Sequence, residues 1–146
     1  MVTEISLEDA LALKNCIPEM RQTSTVDELQ ARVGNNYLSL GYLEDNQLVA
    51  FKLGYALNQH TFYSWLGAVA PEFRGKGIAK MLLQVQEKWC RENKFDTIEV
   101  KSMNQFKPML SMLLNNGYNI TGFTKGNSVT EHKIHFSKQL SLNSLS

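Results

Sequence analysis

Two glycines and two basic residues stand together in the segment Arg74-Gly75-Lys76-Gly77, between an apolar stretch and an amphipathic stretch that begins at Ile78. A glycine-rich turn between a strand and a helix exposes consecutive backbone N–H groups beside the positive end of the helix dipole. The two cationic side chains add further positive charge. The segment therefore predicts a site for a pyrophosphate, and the alternative is an ordinary turn that uses glycine for its conformation.

The spacing around this turn excludes two common phosphate-binding motifs. A nucleoside-triphosphate loop needs a glycine five residues before Gly75, where Ala70 stands, and a Ser or Thr after the lysine, where Gly77 stands. The dinucleotide motif G-x-G-x-x-G needs a glycine three residues beyond Gly77, where Lys80 stands.

A second group that could do chemistry is the carboxylate of Glu99, in the segment Ile98 to Asn104. A carboxylate can accept the proton of an ammonium group, which is the form in which most amines exist at neutral pH. Strand alternation puts Phe95, Glu99 and Lys101 on one face, so an ion pair between Glu99 and Lys101 is the alternative interpretation. His132 and His135 point to opposite faces of a predicted strand, which argues against a metal site.

The hydrophobic pattern predicts the elements that position these residues. Ser6 and Thr25 are predicted N-caps of two helices, and Gly34 is the predicted end of the second. A helix that begins at Ile78 between two strands implies a parallel strand pair and a mixed sheet. The predicted strands cover residues 3–6, 37–43, 48–57, 62–71, 95–103, 118–124 and 129–136, and the predicted helices cover residues 7–20, 26–33, 78–91 and 107–116.

In this setting, Arg74-x-x-Gly77-x-Ala79, preceded by Val69-x-Pro71, resembles the acetyl-CoA-binding motif of the GNAT superfamily of N-acetyltransferases. The resemblance implies an α/β fold with a central, mostly antiparallel sheet, one splayed parallel strand pair and flanking helices. It covers residues 1–140 as a single domain, followed by a polar tail at 141–146. It implies transfer of an acetyl group from acetyl-CoA to a primary amine by direct attack in a ternary complex.

The resemblance also implies roles for particular residues. The backbone of Gly67, Ala68 and Val69 would bind the pantetheine arm and polarise the thioester carbonyl. Glu99 and Asn104 are similar in spacing to a base and a cofactor-binding asparagine of ribosomal-protein N-terminal acetyltransferases. The residues implied to hold the pyrophosphate are Arg74, Gly75, Lys76, Gly77, Ile78, Ala79 and Lys80.

The sequence departs from the family pattern at the general acid. Many members carry a tyrosine four residues before the glycine that ends the last helix, and here Leu113 stands four residues before Gly117. No general acid is therefore assigned. Asn104 is also two residues further from Gly117 than is common in the family, so Phe106 is an alternative occupant of the asparagine place.

Composition limits the other function classes. The chain has 146 residues, 15 basic against 14 acidic, with a net charge of +1. This balance argues against nucleic-acid and membrane binding driven by charge. Acidic residues near the start argue against a signal peptide, so a cytoplasmic location is expected, with no metal cofactor.

The resemblance places the acceptor pocket around residues 18–36 and the turn at 125–128. The residues of these segments do not indicate which acceptor binds. A small-molecule amine and a peptide amine both remain open, and family members are often homodimers. Two further alternatives are a non-catalytic CoA-binding or partner-binding module and transfer of a longer acyl group.

Overall fold

The computed structural model describes residues 1–20 and 24–140. They form four helices and seven strands, and the seven strands make one sheet. The helices are α1 (Leu7–Lys14), α2 (Val26–Val33), α3 (Ile78–Glu92) and α4 (Lys107–Asn115). The strands are β1 (Val2–Glu4), β2 (Tyr37–Glu44), β3 (Gln47–Ala56), β4 (Thr61–Val69), β5 (Thr97–Met103), β6 (Asn119–Thr124) and β7 (Lys133–Gln139).

The first two helices begin at the predicted caps. The Ser6 side chain accepts a hydrogen bond from the backbone N–H of Asp9, and Thr25 forms a reciprocal capping box with Glu28. Gly34 ends α2 with a φ of 68°. The predicted extension of the first helix to residue 20 is wrong, because α1 ends at Lys14. Pro18 disfavours helical backbone at Ile17, and Ile17 is instead buried in the core.

The sheet has the strand order β1-β2-β3-β4-β5-β7-β6. Only β4 and β5 pair in parallel, and every other neighbouring pair of strands is antiparallel. The predicted mixed sheet is therefore confirmed. The last strand begins at Lys133 rather than at residue 129, because Val129–Glu131 form a 3₁₀ turn. The N–H of Gln105, in the loop before α4, binds the carbonyl of Thr130 within that turn.

Two hydrophobic layers cover the two faces of the sheet. Helix α3 packs on one face, where Phe62 and Ile98 are fully buried, and α1 and α2 pack on the other, over Phe51 and Leu53. Phe95 packs against Phe62 on the α3 side. The expectation that Phe95 shares a face with Glu99 is wrong, because β5 begins only at Thr97 and the alternation does not reach back to Phe95.

One buried charge ties α3 to the last strand. Glu87 is 6% exposed and accepts a hydrogen bond of 2.7 Å from the hydroxyl of Tyr118 and one of 3.1 Å from Nζ of Lys138. Burial and the adjacent carboxylate raise the pKa of Tyr118, so its hydroxyl stays protonated. Because the carboxylate has two donors, it is tolerated inside the protein.

Candidate functional site

The glycine-rich turn joins the end of β4 to the start of α3. After a short 3₁₀ turn at Pro71–Phe73, Gly75 and Gly77 have φ angles of 79° and 80°. Side chains with a Cβ rarely adopt this left-handed conformation, which explains the glycines. A Cβ built on either glycine meets no atom within 4 Å, so the outer surface of the turn is open.

The N-terminus of α3 differs from those of α1 and α2 in its cap and its charge. Gly77 occupies the N-cap position without a side-chain hydrogen bond, and the first turn of α3 contains no acidic residue. The first turns of α1 and α2 each have a side-chain cap and two acidic residues. The first N–H groups of a helix have no partner within it. The backbone N–H groups of Ile78, Ala79 and Lys80 thus form an uncapped, positively charged end that suits an anion.

Both cations of the turn contact carboxylates from other elements. Nη1 and Nη2 of Arg74 lie 2.6 and 3.1 Å from the carboxylate oxygens of Glu19, and its Nε donates to the carbonyl of Val69 at 2.9 Å. The Glu19 hydrogen bond raises the pKa of Arg74, and the same bond lowers the pKa of Glu19. Nζ of Lys76 lies 3.8 Å from the carboxylate of Glu44.

Beside the turn, β4 and β5 separate. Their parallel pairing runs from Thr61 with Thr97 to Ser64 with Val100, and beyond that point β4 pairs only with β3 and β5 only with β7. Trp65 is the additional residue of a β-bulge opposite β3, at the place where the separation begins. The two strands therefore border a gap that leads to the N-terminus of α3.

Backbone alternation decides which groups of β4 face this gap. The N–H of Ala70 donates to the carbonyl of Val49 on β3, so alternate residues, including Ala68, direct their backbone groups to β3. Those of Gly67 and Val69 then face the gap, in agreement with the Arg74 hydrogen bond to the Val69 carbonyl. Gly67 also lies close to β3, because an added Cβ would be 3.3 Å from the carbonyl oxygen of Phe51.

A cavity of about 150 Å³ lies at the start of the gap, on the side of the sheet that α1 and α2 cover. Glu99 lines it and is the register partner of Tyr63. Lys101 lines the same cavity, but in the described part of the chain it forms no ion pair with Glu99. The cavity, called the β4/β5 cavity below, is lined by Arg32, Tyr55, Leu57, Tyr63, Glu99 and Lys101.

Asn104 lies in the loop between β5 and α4, as predicted, and its side chain has protein partners. Its Nδ2 donates to the carbonyl of Val129 at 3.2 Å, and its Oδ1 accepts from Nζ of Lys107. Asn104 thus connects this loop to the 3₁₀ turn before β7.

Comparison with known proteins decides the family. The model of the acetyltransferase (GNAT) family matches residues 7–118, which is more than half of the chain. The chain belongs to the GNAT acetyltransferase family. No curated protein sequence matches it.

Solved structures of GNAT acetyltransferases share the fold over almost the whole chain. The ribosomal-protein-S18-alanine N-acetyltransferase from Escherichia coli has a TM-score of 0.83 and 12% identity, covering 99% of this chain and 96% of that one. The aminoglycoside 6'-N-acetyltransferase from Enterococcus faecium has a TM-score of 0.80 and 12% identity, covering 99% of both chains. A GNAT family acetyltransferase from Elizabethkingia anophelis with acetyl-CoA bound has a TM-score of 0.75 and 14% identity, covering 96% of this chain and 97% of that one.

This GNAT protein lacks a tyrosine at the place where the family resemblance puts the general acid. Leu113 occupies that place and is 1% exposed in the core. The nearby Tyr118 donates to the buried Glu87 and does not open onto the gap. Among residues 1–20 and 24–140, no helix is long and apolar enough to span a membrane, and no cluster of metal-ligating side chains occurs.

Arg32 and Glu19 are among the residues of the site that were not singled out from the sequence. Arg32 falls within the segment 18–36 expected to border the acceptor, but nothing in the local pattern of α2 distinguishes it from the other polar residues. Glu19 has no local signal either, since its partner Arg74 is 55 residues away in sequence.

Proposed function

We propose that this GNAT protein is an N-acetyltransferase that moves the acetyl group of acetyl-CoA to a primary amine. The observation that carries the proposal is the uncapped, basic N-terminus of α3 beside the gap between β4 and β5. A pyrophosphate fits the N-terminus of α3 because its negative charge complements the free N–H groups there. An extended pantetheine arm fits the gap between β4 and β5 because the backbone groups of Gly67 and Val69 face it.

The residues proposed to hold the cofactor follow from this arrangement. The pyrophosphate would bind to the backbone of the turn and to the first turn of α3, and the pantetheine arm to β4. Asn104 would reach the cofactor only by exchanging its contacts with Val129 and Lys107. The proposed residues are Gly67, Val69, Arg74, Gly75, Lys76, Gly77, Ile78, Ala79, Lys80 and Asn104. The expected backbone contact of Ala68 with the pantetheine arm is not part of the proposal, because Ala68 directs its backbone groups to β3.

Acetyl-CoA supplies an acetyl group activated as a thioester, and the chain orients an amine against it. Glu99 would accept the proton of the acceptor ammonium, directly or through water, which leaves a nucleophilic lone pair. The C–N bond forms as the C–S bond breaks, the nitrogen loses a second proton, and CoA leaves as a thiolate that takes up this proton through water. Because Leu113 carries no proton, no side chain is assigned as general acid.

The role of Glu99 is tested with the variant Glu99→Gln in an assay that follows CoA thiol release. We expect kcat to fall mainly at low pH, where the acceptor depends most on a base. The control is Glu4→Gln, which removes the same charge from β1 at the far edge of the sheet. A Glu99→Gln enzyme with unchanged rates across pH would remove Glu99 from this role.

The cofactor site is tested with Gly77→Trp, which places a large ring over the uncapped end of α3. The control is Gly34→Trp, because Gly34 also has a positive φ and open space beyond its Cα. We expect the Kd for acetyl-CoA to rise at least tenfold in Gly77→Trp and to change little in Gly34→Trp. Normal binding by Gly77→Trp would contradict the assignment.

A second candidate, a non-catalytic module that binds CoA or a partner, is favoured by the absence of a tyrosine at Leu113. Thiol release with any member of an amine panel that includes peptides separates the two functions. Competition between acetyl-CoA and longer acyl-CoAs tests the transfer of a longer acyl group. A cytoplasmic location and a homodimeric state stay predictions.

A further inference from the structure

The β4/β5 cavity adjoins the place where the acetyl group would lie. Its lining residues Tyr63 and Glu99 are register partners, and the pairing of β4 with β5 ends one residue later. Lys101 follows on β5, past the end of the pairing. A group bound in this cavity is therefore within reach of the gap that the cofactor would occupy.

Three charged side chains line this small volume, and two of them are cations. In the part of the chain that the structure describes, none of Arg32, Glu99 and Lys101 forms an ion pair. The cavity thus carries a net positive charge together with one carboxylate. Charged side chains around one cavity that have no ion-pair partner are available to a ligand.

Aromatic rings, not carboxylates, position the two cations. The guanidinium of Arg32 lies over the ring of Trp65, 4.6 Å from its centroid, and its Nε donates to the hydroxyl of Tyr55 at 2.8 Å. Nζ of Lys101 lies 5.6 Å from the centroid of the Tyr63 ring. A cation over an aromatic face is held without being neutralised, so it keeps its charge for an anion.

The neighbouring titratable groups do not cancel the net positive charge of the β4/β5 cavity. Burial, followed by the influence of Tyr55, raises the pKa of Tyr63, so its hydroxyl remains a neutral donor. His135 is the register partner of Lys101 on β7. Burial and the nearby Lys101 lower the pKa of His135, so this side chain is neutral at pH 7.

We propose that the acceptor is a small amino acid, whose ammonium is bound by Glu99 and whose carboxylate is bound by Arg32 and Lys101. The inference rests on the proposed function and specifies its acceptor. A cavity of about 150 Å³ suits an amine and a carboxylate separated by a few bonds. A polycation, such as a polyamine or an aminoglycoside, would place its additional charges beside two cations and would be disfavoured.

The reaction balances without another reactant. The ammonium gives one proton to Glu99 or water, and the amine nitrogen bonds to the acetyl carbon as the C–S bond breaks. The nitrogen loses a second proton as the amide forms, and the thiolate of CoA takes up that proton through water. One proton, the one first given to Glu99 or water, is released overall. The products are an N-acetylated amino acid, which keeps its carboxylate, and CoA.

The test compares acceptors that differ only in the carboxylate. Thiol release from acetyl-CoA is measured with the common amino acids, with their methyl esters, with the corresponding decarboxylated amines, and with spermidine and an aminoglycoside. We expect kcat/KM for at least one amino acid to exceed that of its ester and amine by roughly 10- to 100-fold, the range for a lost hydrogen-bonded charge.

Variants at the two cations assign the preference to the cavity. Both side chains are exposed, so Lys101→Met and Arg32→Met should fold, which a thermal melt checks. We expect each variant to raise KM for the amino acid about tenfold and to reduce, by a similar factor, the ratio of kcat/KM between the amino acid and its decarboxylated amine. Arg32→Lys, which keeps the charge, should restore most of the preference.

The outcomes separate the inference from the proposed function. Turnover of amines, esters or polycations as fast as amino acids, or a preference that survives both variants, would overturn the amino-acid assignment and leave the transferase intact. Turnover of none of these acceptors would overturn the assignment as well. The transferase would fall with it only if the wider panel, which includes peptides, also released no thiol.

Discussion

The carboxylate of Glu19 pairs with the guanidinium of Arg74 and would compete with a bound pyrophosphate for it. Removing the charge of Glu19 should therefore tighten acetyl-CoA binding. The paired side chains are 42% and 38% exposed, which makes this a solvent-screened pair despite its two hydrogen bonds. Such pairs contribute about 0.2–1 kcal/mol. If a bound pyrophosphate must compete with Glu19, the variant Glu19→Gln should lower the Kd for acetyl-CoA by about 1.4- to 5-fold.

Calorimetric titration of acetyl-CoA into the two proteins measures this difference. It should be largest at low ionic strength and fall at about 1 M salt, where the screening length is about 3 Å. Glu92→Gln is the matched control, since it removes a carboxylate at the far end of α3. Fifteen residues at about 1.5 Å each separate Glu92 from the turn by roughly 20 Å.

An unchanged or higher Kd for Glu19→Gln would refute the competition. It would mean that the pair instead supports the shape of the turn, with Glu19 holding Arg74 against the Val69 carbonyl. The carboxylate of Glu44, which lies 3.8 Å from Nζ of Lys76, should compete with the cofactor in the same way. If both carboxylates compete with the cofactor, the effects of Glu19→Gln and Glu44→Gln should add.

Three predictions concern stability. Glu87→Ala leaves the donors Tyr118 and Lys138 without an acceptor and should lower the free energy of unfolding by about 3 kcal/mol, or Tm by roughly 10 °C. Tyr118→Phe should cost about half as much. Equal losses of stability in thermal melts of the two variants would contradict the hydrogen-bond network around Glu87. Burial lowers the pKa of Lys52 to about 8, so Lys52→Met should stabilise the protein on the order of 3 kcal/mol at pH 7. This gain is full below pH 8 and should vanish toward about pH 10.5, where the amine is neutral in both states; urea titrations that show a pH-independent gain would refute it. A methyl group at Gly54 would overlap the ring of Phe62 and the carbonyl oxygen of Tyr63, both on β4. Gly54→Ala should therefore lower the free energy of unfolding by about 1–3 kcal/mol in the same urea titrations. A neutral effect would argue against this close packing.

The parts of the fold set by local chemistry could be predicted from the sequence. Ser6 and Thr25 cap helices because a side-chain oxygen reaches N–H groups three residues away, and Gly77 precedes α3 because the turn requires a positive φ. The strand-helix-strand order around α3 was sufficient to predict the parallel pair. None of these features depends on distant residues.

The parts set by tertiary contacts could not be predicted. The cations of the turn contact carboxylates because the loop after α1 and the turn between β2 and β3 pack beside it. Arg32 lies in the β4/β5 cavity because α2 packs on β3 with that face toward Tyr55. The β-bulge at Trp65 coincides with the separation of β4 and β5, and neither Trp65 nor its neighbours Ser64 and Leu66 on β4 are glycine or proline residues that would mark it in the sequence.

The most direct test of the account is the thermal midpoint of the full chain with acetyl-CoA, free CoA or ATP. A ligand at about 100 times its Kd stabilises the native state by roughly 2.7 kcal/mol, or about 8 °C for a chain of this size. The account predicts this rise with acetyl-CoA and CoA and none with ATP or with the Gly77→Trp variant. The absence of a shift with either CoA species at millimolar concentration would contradict the cofactor site and the acetyl transfer built on it.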